Sequence, residues 1–322
     1  AILGLCFWPF NFLPSNQVVE EPGGGLRFTP PATAYTSTPP TKLLGLPEWT
    51  IIMDVKVLPP WRQGRILSYS LDERRYNLNI EQLWDYLLIR VRLGSDRSRE
   101  IQIGKFFEPS SERRFTLAMI YDGKDLAVYF DGERKALQKI GAIDYRSWSD
   151  SYPLVLGSQA NGKFGWKGIF YNLIVLDRAA SPSEMKAPGH LFKDATSLLY
   201  YSFTEGRSGT LLDLGAKAPA LVSWPGRFIP YERTILQAPR DYWPEIGRPF
   251  LRDIFANIII YLPIGYLLST WLVQKDMHPL GVVIAPIIVA FSMSLTIVVL
   301  QAYLPTRNSS TVDVLLNSLG AS

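Results

Sequence analysis

Cysteine and histidine are nearly absent: Cys6 is the only cysteine, and His190 and His278 are the only histidines. An intrachain disulfide is impossible, and zinc ribbons and CxxC redox motifs are excluded. The two histidines lie far apart with no cysteine beside them, so a histidine metal site or a Ser-His-Asp triad has no basis here. Blocks of lysine and arginine are missing too. The net charge of +4 and the pI near 9.0 come from scattered arginines, whereas nucleic-acid binding needs a basic stripe. Nucleic acid is therefore not an expected partner.

Charge itself is scarce at one end. The chain holds 33 Lys+Arg and 29 Asp+Glu, yet only Arg252, Asp253, Lys275, Asp276, Arg307 and Asp313 fall within 250–322. Such a division reads as a water-soluble module joined to a membrane module. With 47% hydrophobic and 13% aromatic residues, a disordered chain is excluded.

Residues 254–274 contain no Asp, Glu, Lys or Arg, and about 20 apolar helical residues span a hydrocarbon core of roughly 30 Å. A second uncharged run covers 277–306, with its apolar heart at 279–304. Lys275 and Asp276 form the short loop between them, which predicts a helical hairpin. Residues 312–322 read as the first turns of another membrane helix. Residues 1–14 read as the last turns of one, ended by Pro9 and Pro14, so the chain is expected to be a fragment at both ends. A cleaved signal peptide is the competing reading for the start, but it lacks a basic n-region.

The polar residues of these runs are patterned. Asn257, Tyr261, Gly265 and Ser269 recur every four positions along one ridge. Pro263 removes a helix donor and predicts a kink, and Gly265 permits another helix to approach closely. Asp313, Asn317 and Gly320 share a face in the last segment. Ionisable groups at membrane depth are costly. The expectation is that Asn257 and Asn317 are hydrogen-bonding glue between helices and that Asp313 pairs with Arg307. Trp8, Trp243, Trp271 and Tyr303 are expected at the headgroup level, where amphipathic rings are favoured.

RDIFANIIIYLPIGYLLS followed by LQAYLPTRNSSTVDVLLNSLGA resembles the VanZ-like membrane family. The matching positions are Asp253, Asn257, Pro263, Gly265, Gln301, Pro305, Arg307, Asp313 and Asn317. The resemblance implies a multi-pass protein of the bacterial inner membrane. One departure stands out: the family usually places Glu three residues before Gln301, where this chain has Val298. Any acid chemistry or proton coupling at that position would be lost here.

Residues 26–235 read as short strands between turn signals, the pattern of an all-β sandwich. Trp49, Ile51, Met53, Val55 and Val57 share one face by the period of two. Leu87, Ile89, Val91 and Leu93 do the same, opposed to Arg90 and Arg92. FTLAMIYDGKDLAVYFDGERKAL reads as a hairpin turning at Asp122-Gly123, with a second turn at Asp131-Gly132. EWTIIMDVKV, RILSYSLD, YDGKDLAVYFDGER and YPLVLGSQANGKFGWKGIFYNLIVLDRAASPSEM together resemble the laminin-G-like, or concanavalin-like, jelly roll. The predicted fold class is multi-domain: an all-β sandwich plus α-helical transmembrane segments. Its parts are the helix end at 1–14, the sandwich at 15–235, an interfacial linker at 236–252 and VanZ-like helices at 253–322.

The jelly roll carries lectins, adhesion modules and glucanases alike, so it leaves function open. Glucanases of this fold use a Glu-x-Asp-x-(x)-Glu strand, and no such triplet occurs. Glu81 and Asp85 are four apart and read as two acids on a solvated face beside Arg90 and Arg92. No catalytic constellation is present, and neither catalysis nor a cofactor is expected. Asp122, Asp131 and Asn161 are weak calcium candidates, since Asp before Gly is explained by turn geometry; no metal is expected. Trp61, Trp84, Trp148 and Trp166 could stack on sugars or anchor a partner, most of them being core.

The expected function is a non-enzymatic, membrane-anchored binding or scaffold protein. Its lectin-like sandwich would dock a glycan or protein on the extracytoplasmic (periplasmic) side of the bacterial inner membrane, as an accessory structural subunit of a larger membrane complex. The expected partners are membrane lipid and either a membrane protein or an extracytoplasmic glycan. The alternative is a VanZ-like cell-envelope protein acting in glycopeptide resistance or envelope lipid and glycan handling.

Overall fold

Alternating side chains on long strands set the architecture of the first unit. In the computed structural model, residues 7, 10–60, 63–107, 113–193, 197–203, 210–212, 214, 221–238, 248–304 and 309–322 are described. The chain divides into two units, Pro14–Glu232 and Ala1–Leu13 with Arg233–Ser322.

Pro14–Glu232 is a sandwich of two antiparallel sheets. One runs β1 (Val18–Glu20), β2 (Leu26–Phe28), β13 (Gly168–Leu176), β4 (Trp49–Val57), β9 (Arg114–Tyr121), β10 (Asp125–Phe130) and β11 (Glu133–Lys139), with β14 (Leu199–Ser202) also paired to β13. The other runs β15 (Thr210–Leu212), β16 (Leu221–Ser223), β3 (Ala34–Thr36), β12 (Leu154–Leu156), β5 (Gly64–Ser70), β6 (Tyr76–Leu83), β7 (Tyr86–Gly94) and β8 (Arg97–Ile103). The late strand β13 is inserted between β2 and β4, so the first and last parts of the sandwich are locked into one ladder.

The inward faces are those the period of two predicts. Trp49, Ile51, Met53, Val55 and Val57 pack with Leu87, Ile89, Val91 and Leu93 in one core. Full burial of such a side chain stabilises by about 1.5–3 kcal/mol. Ile52 points the other way, and it too is buried, among Ile120, Tyr129, Ile174, Met185 and Leu191. The outer face of this sheet is covered by the short helix α1 (Pro182–Met185) and the turn Pro188–Lys193. Ser181 caps α1 in a reciprocal capping box with Glu184.

The second unit contains α2 (Arg248–Gln274), α3 (Pro279–Gln301) and α4 (Thr311–Gly320). Helix α2 begins inside the stretch read as linker. Pro249 lies in its first turn, where the missing N–H costs no helix hydrogen bond. Pro263 and Pro286 lie within α2 and α3. By length and composition, Asn257–Gln274 and Pro279–Gln301 are each able to cross a membrane. Their large exposed side chains, such as Leu262, Leu267, Val283 and Ile288, are apolar. Phe7 packs against Ile297 and Leu304.

Candidate functional site

The polar residues of the helices meet one another. Asn257 Nδ2 donates to Asp313 Oδ1 at 2.9 Å, joining α2 to α4. Asn317 Nδ2 donates to Ser294 Oγ at 2.7 Å, joining α4 to α3, and both residues are buried. A Cβ built on Gly265 would stand 2.7 Å from Ala321 Cα, and one on Gly320 would stand 2.9 Å from Ile258 Cα. Helices α2 and α4 therefore touch backbone to backbone. Val298 is 1% exposed, one turn beyond Ser294. Gln301 is half-buried at the end of α3. Arg307, the expected partner of Asp313, lies outside the described residues, as do Trp8 and Trp243. Trp271 is exposed, and Tyr303 lies under the Arg233 guanidinium, 4.2 Å from the ring centroid.

In the sandwich, Trp148 and Trp166 are core residues whose Nε1 groups donate to Arg92 O at 2.7 Å and Gln82 Oε1 at 3.0 Å. Trp84, at the β6–β7 turn, is 61% exposed. Trp61 lies outside the described residues. The calcium candidates occupy three separate turns. Asp122 Oδ1 accepts from the N–H groups of Lys124 and Asp125, Asp131 Oδ1 from Thr116 N–H, and Asn161 Oδ1 from Lys163 N–H. Among the described residues no three His, Cys, Asp or Glu side chains are grouped to hold a metal ion.

Glu81 requires a correction. The sequence pattern puts it on a solvated face, but its side chain is wholly buried and ion-paired with the equally buried Arg65. Gln63 Nε2 donates to its second oxygen at 2.7 Å. Desolvation pulls the Arg65 pKa down, and the Glu81 carboxylate works against that shift. The face is closed because the loop after β12 folds over it. Phe164 lies 5.0 Å from the Arg65 guanidinium, and Tyr231 packs edge-on against Tyr35. Register places Tyr35, Val155, Ser68, Asn79 and Arg90 in one row across this face. Ser68 Oγ and both amide atoms of Asn79 find no hydrogen-bond partner among the described residues. Asp85 is elsewhere, in the β6–β7 turn, where its carbonyl accepts from Phe106 and Phe107 N–H at 2.8 and 3.1 Å.

A cleft of about 260 Å³ opens at the rim of the sandwich, slightly smaller than the usual small-molecule site of roughly 300–1,000 Å³. Phe106, Phe107, Phe115 and Phe130 line it, the first three of them buried in the sandwich core. Phe115 and Phe130 stack with centroids 4.7 Å apart, and Phe106 meets Phe130 edge-on at 5.1 Å. Lys105, Arg113 and Lys135 line its walls. Sequence reasoning did not assemble this site. Its residues come from the ends of β4, β8, β9, β10 and β11, and the Phe106-Phe107 pair beside Lys105 was the one local signal.

No protein-family model and no curated protein matches the chain. Among solved structures it is similar to a putative carbohydrate binding protein from Bacteroides ovatus, with 14% identity, a TM-score of 0.41, and coverage of 65% of this chain and 61% of that one. It is also similar to the Ruminococcus gnavus IT-sialidase CBM40 bound to α2,3-sialyllactose, with 14% identity, a TM-score of 0.42, and coverage of 55% and 98%. A third is a botulinum neurotoxin type C structure whose cell entry is described as dependent on two ganglioside molecules, with 8% identity, a TM-score of 0.40, and coverage of 62% and 53%. The chain thus spans less than two thirds of the first and third of these. At such identities and TM-scores the likenesses carry no argument about function.

Proposed function

We propose that this chain is a non-enzymatic, membrane-anchored binding protein whose sandwich takes a glycan at the rim cleft. The observation that carries the reading is the cleft itself: an aromatic lining with a few polar groups at its walls, the usual make-up of a small-ligand site. The acids elsewhere support it. Glu81 is used up in a buried ion pair, and Asp122 and Asp131 in turns, so these three acids are engaged in holding the fold. In the helices, Asn257 and Asn317 hold helices together, which suits an anchor. On this reading the sandwich lies outside the bacterial inner membrane and Lys275 and Asp276 lie in a cytoplasmic loop.

Screening the full chain in lipid nanodiscs against a broad glycan panel tests the binding. Specific retention of a glycan family, lost in Phe106→Ala, is the expected result; no retention across the panel ends this reading. Topology is tested on a Cys6→Ala background. Arg134→Cys should label with an impermeant thiol reagent from outside, and Lys275→Cys should not; the reverse pattern overturns the arrangement.

A further inference from the structure

We infer that the ligand of the rim cleft is an acidic sugar, its ring lying against the phenylalanines and its carboxylate meeting Lys105 and Lys135. This rests on the glycan-binding reading of the same cleft. Among the described residues, the side chains that line it include three cations, Lys105, Arg113 and Lys135, and no carboxylate. The cations arrive from three different places, the turn after β8, the residue before β9 and the strand β11. Only the closed rim brings them together.

Their local chemistry differs. Arg113 is committed: it is ion-paired with Asp131 and lies over the Phe130 ring at 5.4 Å. It serves as a wall. Lys135 bonds Glu133 at 2.6 Å, with the Glu133 side chain largely in solvent and that of Lys135 37% exposed. An ion pair of that kind is worth little, so a ligand carboxylate can replace it. Lys105 makes no hydrogen bond or ion pair with any described residue.

Backbone features aim both lysines. Val128 pairs with Ala136 while the next residue, Tyr129, pairs with Arg134, which leaves Lys135 as the extra residue of a β-bulge. Bulges redirect side chains at sheet edges. Lys105 has φ of 51°, a left-handed conformation that costs a non-glycine residue energy and persists only where neighbours enforce it. Here the next two N–H groups, of Phe106 and Phe107, are both tied to Asp85 O. The apolar lining removes water from one side of the ligand, which strengthens a charge-assisted bond at the other.

The probes are tetragalacturonate and its fully methyl-esterified form, titrated calorimetrically into the full chain in nanodiscs. The acid should bind roughly tenfold or more tightly than the ester. Raising salt several-fold should weaken the acid alone, because exposed charges are screened within about 8 Å at physiological ionic strength. The double variant Lys105→Gln/Lys135→Gln should bring acid down to ester affinity and leave the circular dichroism spectrum unchanged. Equal binding of acid and ester overturns the acidic-sugar inference but keeps the glycan reading. Inorganic sulfate binding as tightly as the acid overturns it too, leaving a bare anion site. If no sugar on the panel binds either, the proposed function falls with it.

Discussion

Arg65 and Glu81 stand directly opposite each other on β5 and β6 and form an ion pair from which solvent is wholly excluded. A buried pair of this kind adds little stability over apolar residues of similar size, yet breaking it strands a buried charge. Glu81→Gln should cost about 3–5 kcal/mol in chemical denaturation. The double variant Arg65→Met/Glu81→Leu should recover most of that loss. A single variant that unfolds within about 1 kcal/mol of wild type would show that the pair is hydrated in solution.

The interhelical bonds of Asn257 and Asn317 are read as packing. Asn257→Leu and Asn317→Leu should each weaken the helical unit by about 0.6 kcal/mol, and by no more than about 2, as measured by steric trapping in bicelles. Loss of function with an unchanged trapping energy would make these residues a working site instead.

Two glycines of the helical unit should respond with opposite sign. Gly265→Val drives a side chain into the Ala321 backbone and should destabilise by about 1–3 kcal/mol. Gly281→Ala meets only Met277 Cε, 3.2 Å away at the end of a flexible side chain. It should stabilise by up to about 1 kcal/mol through helix propensity. Equal losses in both would contradict the backbone crossing of α2 and α4.

The capping box of α1 predicts an acid-sensitive term. Hydrogen bonds from Arg178, then from Ser181, hold the Glu184 carboxyl down from 4.5 to about 2. A depressed folded-state pKa gives stability that is present above the unfolded value and lost as pH falls. Melting temperature should therefore drop between about pH 4.5 and pH 2, and Glu184→Gln should flatten that part of the profile. An unchanged slope in the variant would assign the acid sensitivity to other carboxylates.

Val298→Glu restores the acid that the VanZ-like pattern carries. Val298 is buried beside the Ser294–Asn317 bond, and an unpaired carboxyl there is costly unless it stays protonated. The expected result is lower stability with no new activity. Gained glycopeptide resistance or lipid turnover would favour the VanZ-like cell-envelope alternative over the anchor.

Legibility in the sequence followed the range of the interaction. The inward faces of β4 and β7 were readable because alternation is a local property of a strand. Asn257, Gly265 and Asn317 were marked out by helical spacing, but that Asn257 would meet Asp313, and Asn317 would meet Ser294, was not. Glu81 was misread for a related reason. Its strand pattern places it on the outward face, and nothing nearby in sequence announces that Phe164, far along the chain, closes over that face.

By itself, the sequence determined the division into a charged β module and an uncharged helical one, along with strand faces, hairpin turns and helical spans. Each depends on the chemistry of neighbouring residues and a fixed backbone period. Only the tertiary structure decided that the outer face of β5 and β6 is buried and that three cations share one aromatic cleft. It also decided which helix each polar side chain engages. These depend on the order of strands in the sheets, on a one-residue bulge and on which loop covers which face. Such relations join residues distant in the chain, and local composition carries no record of them.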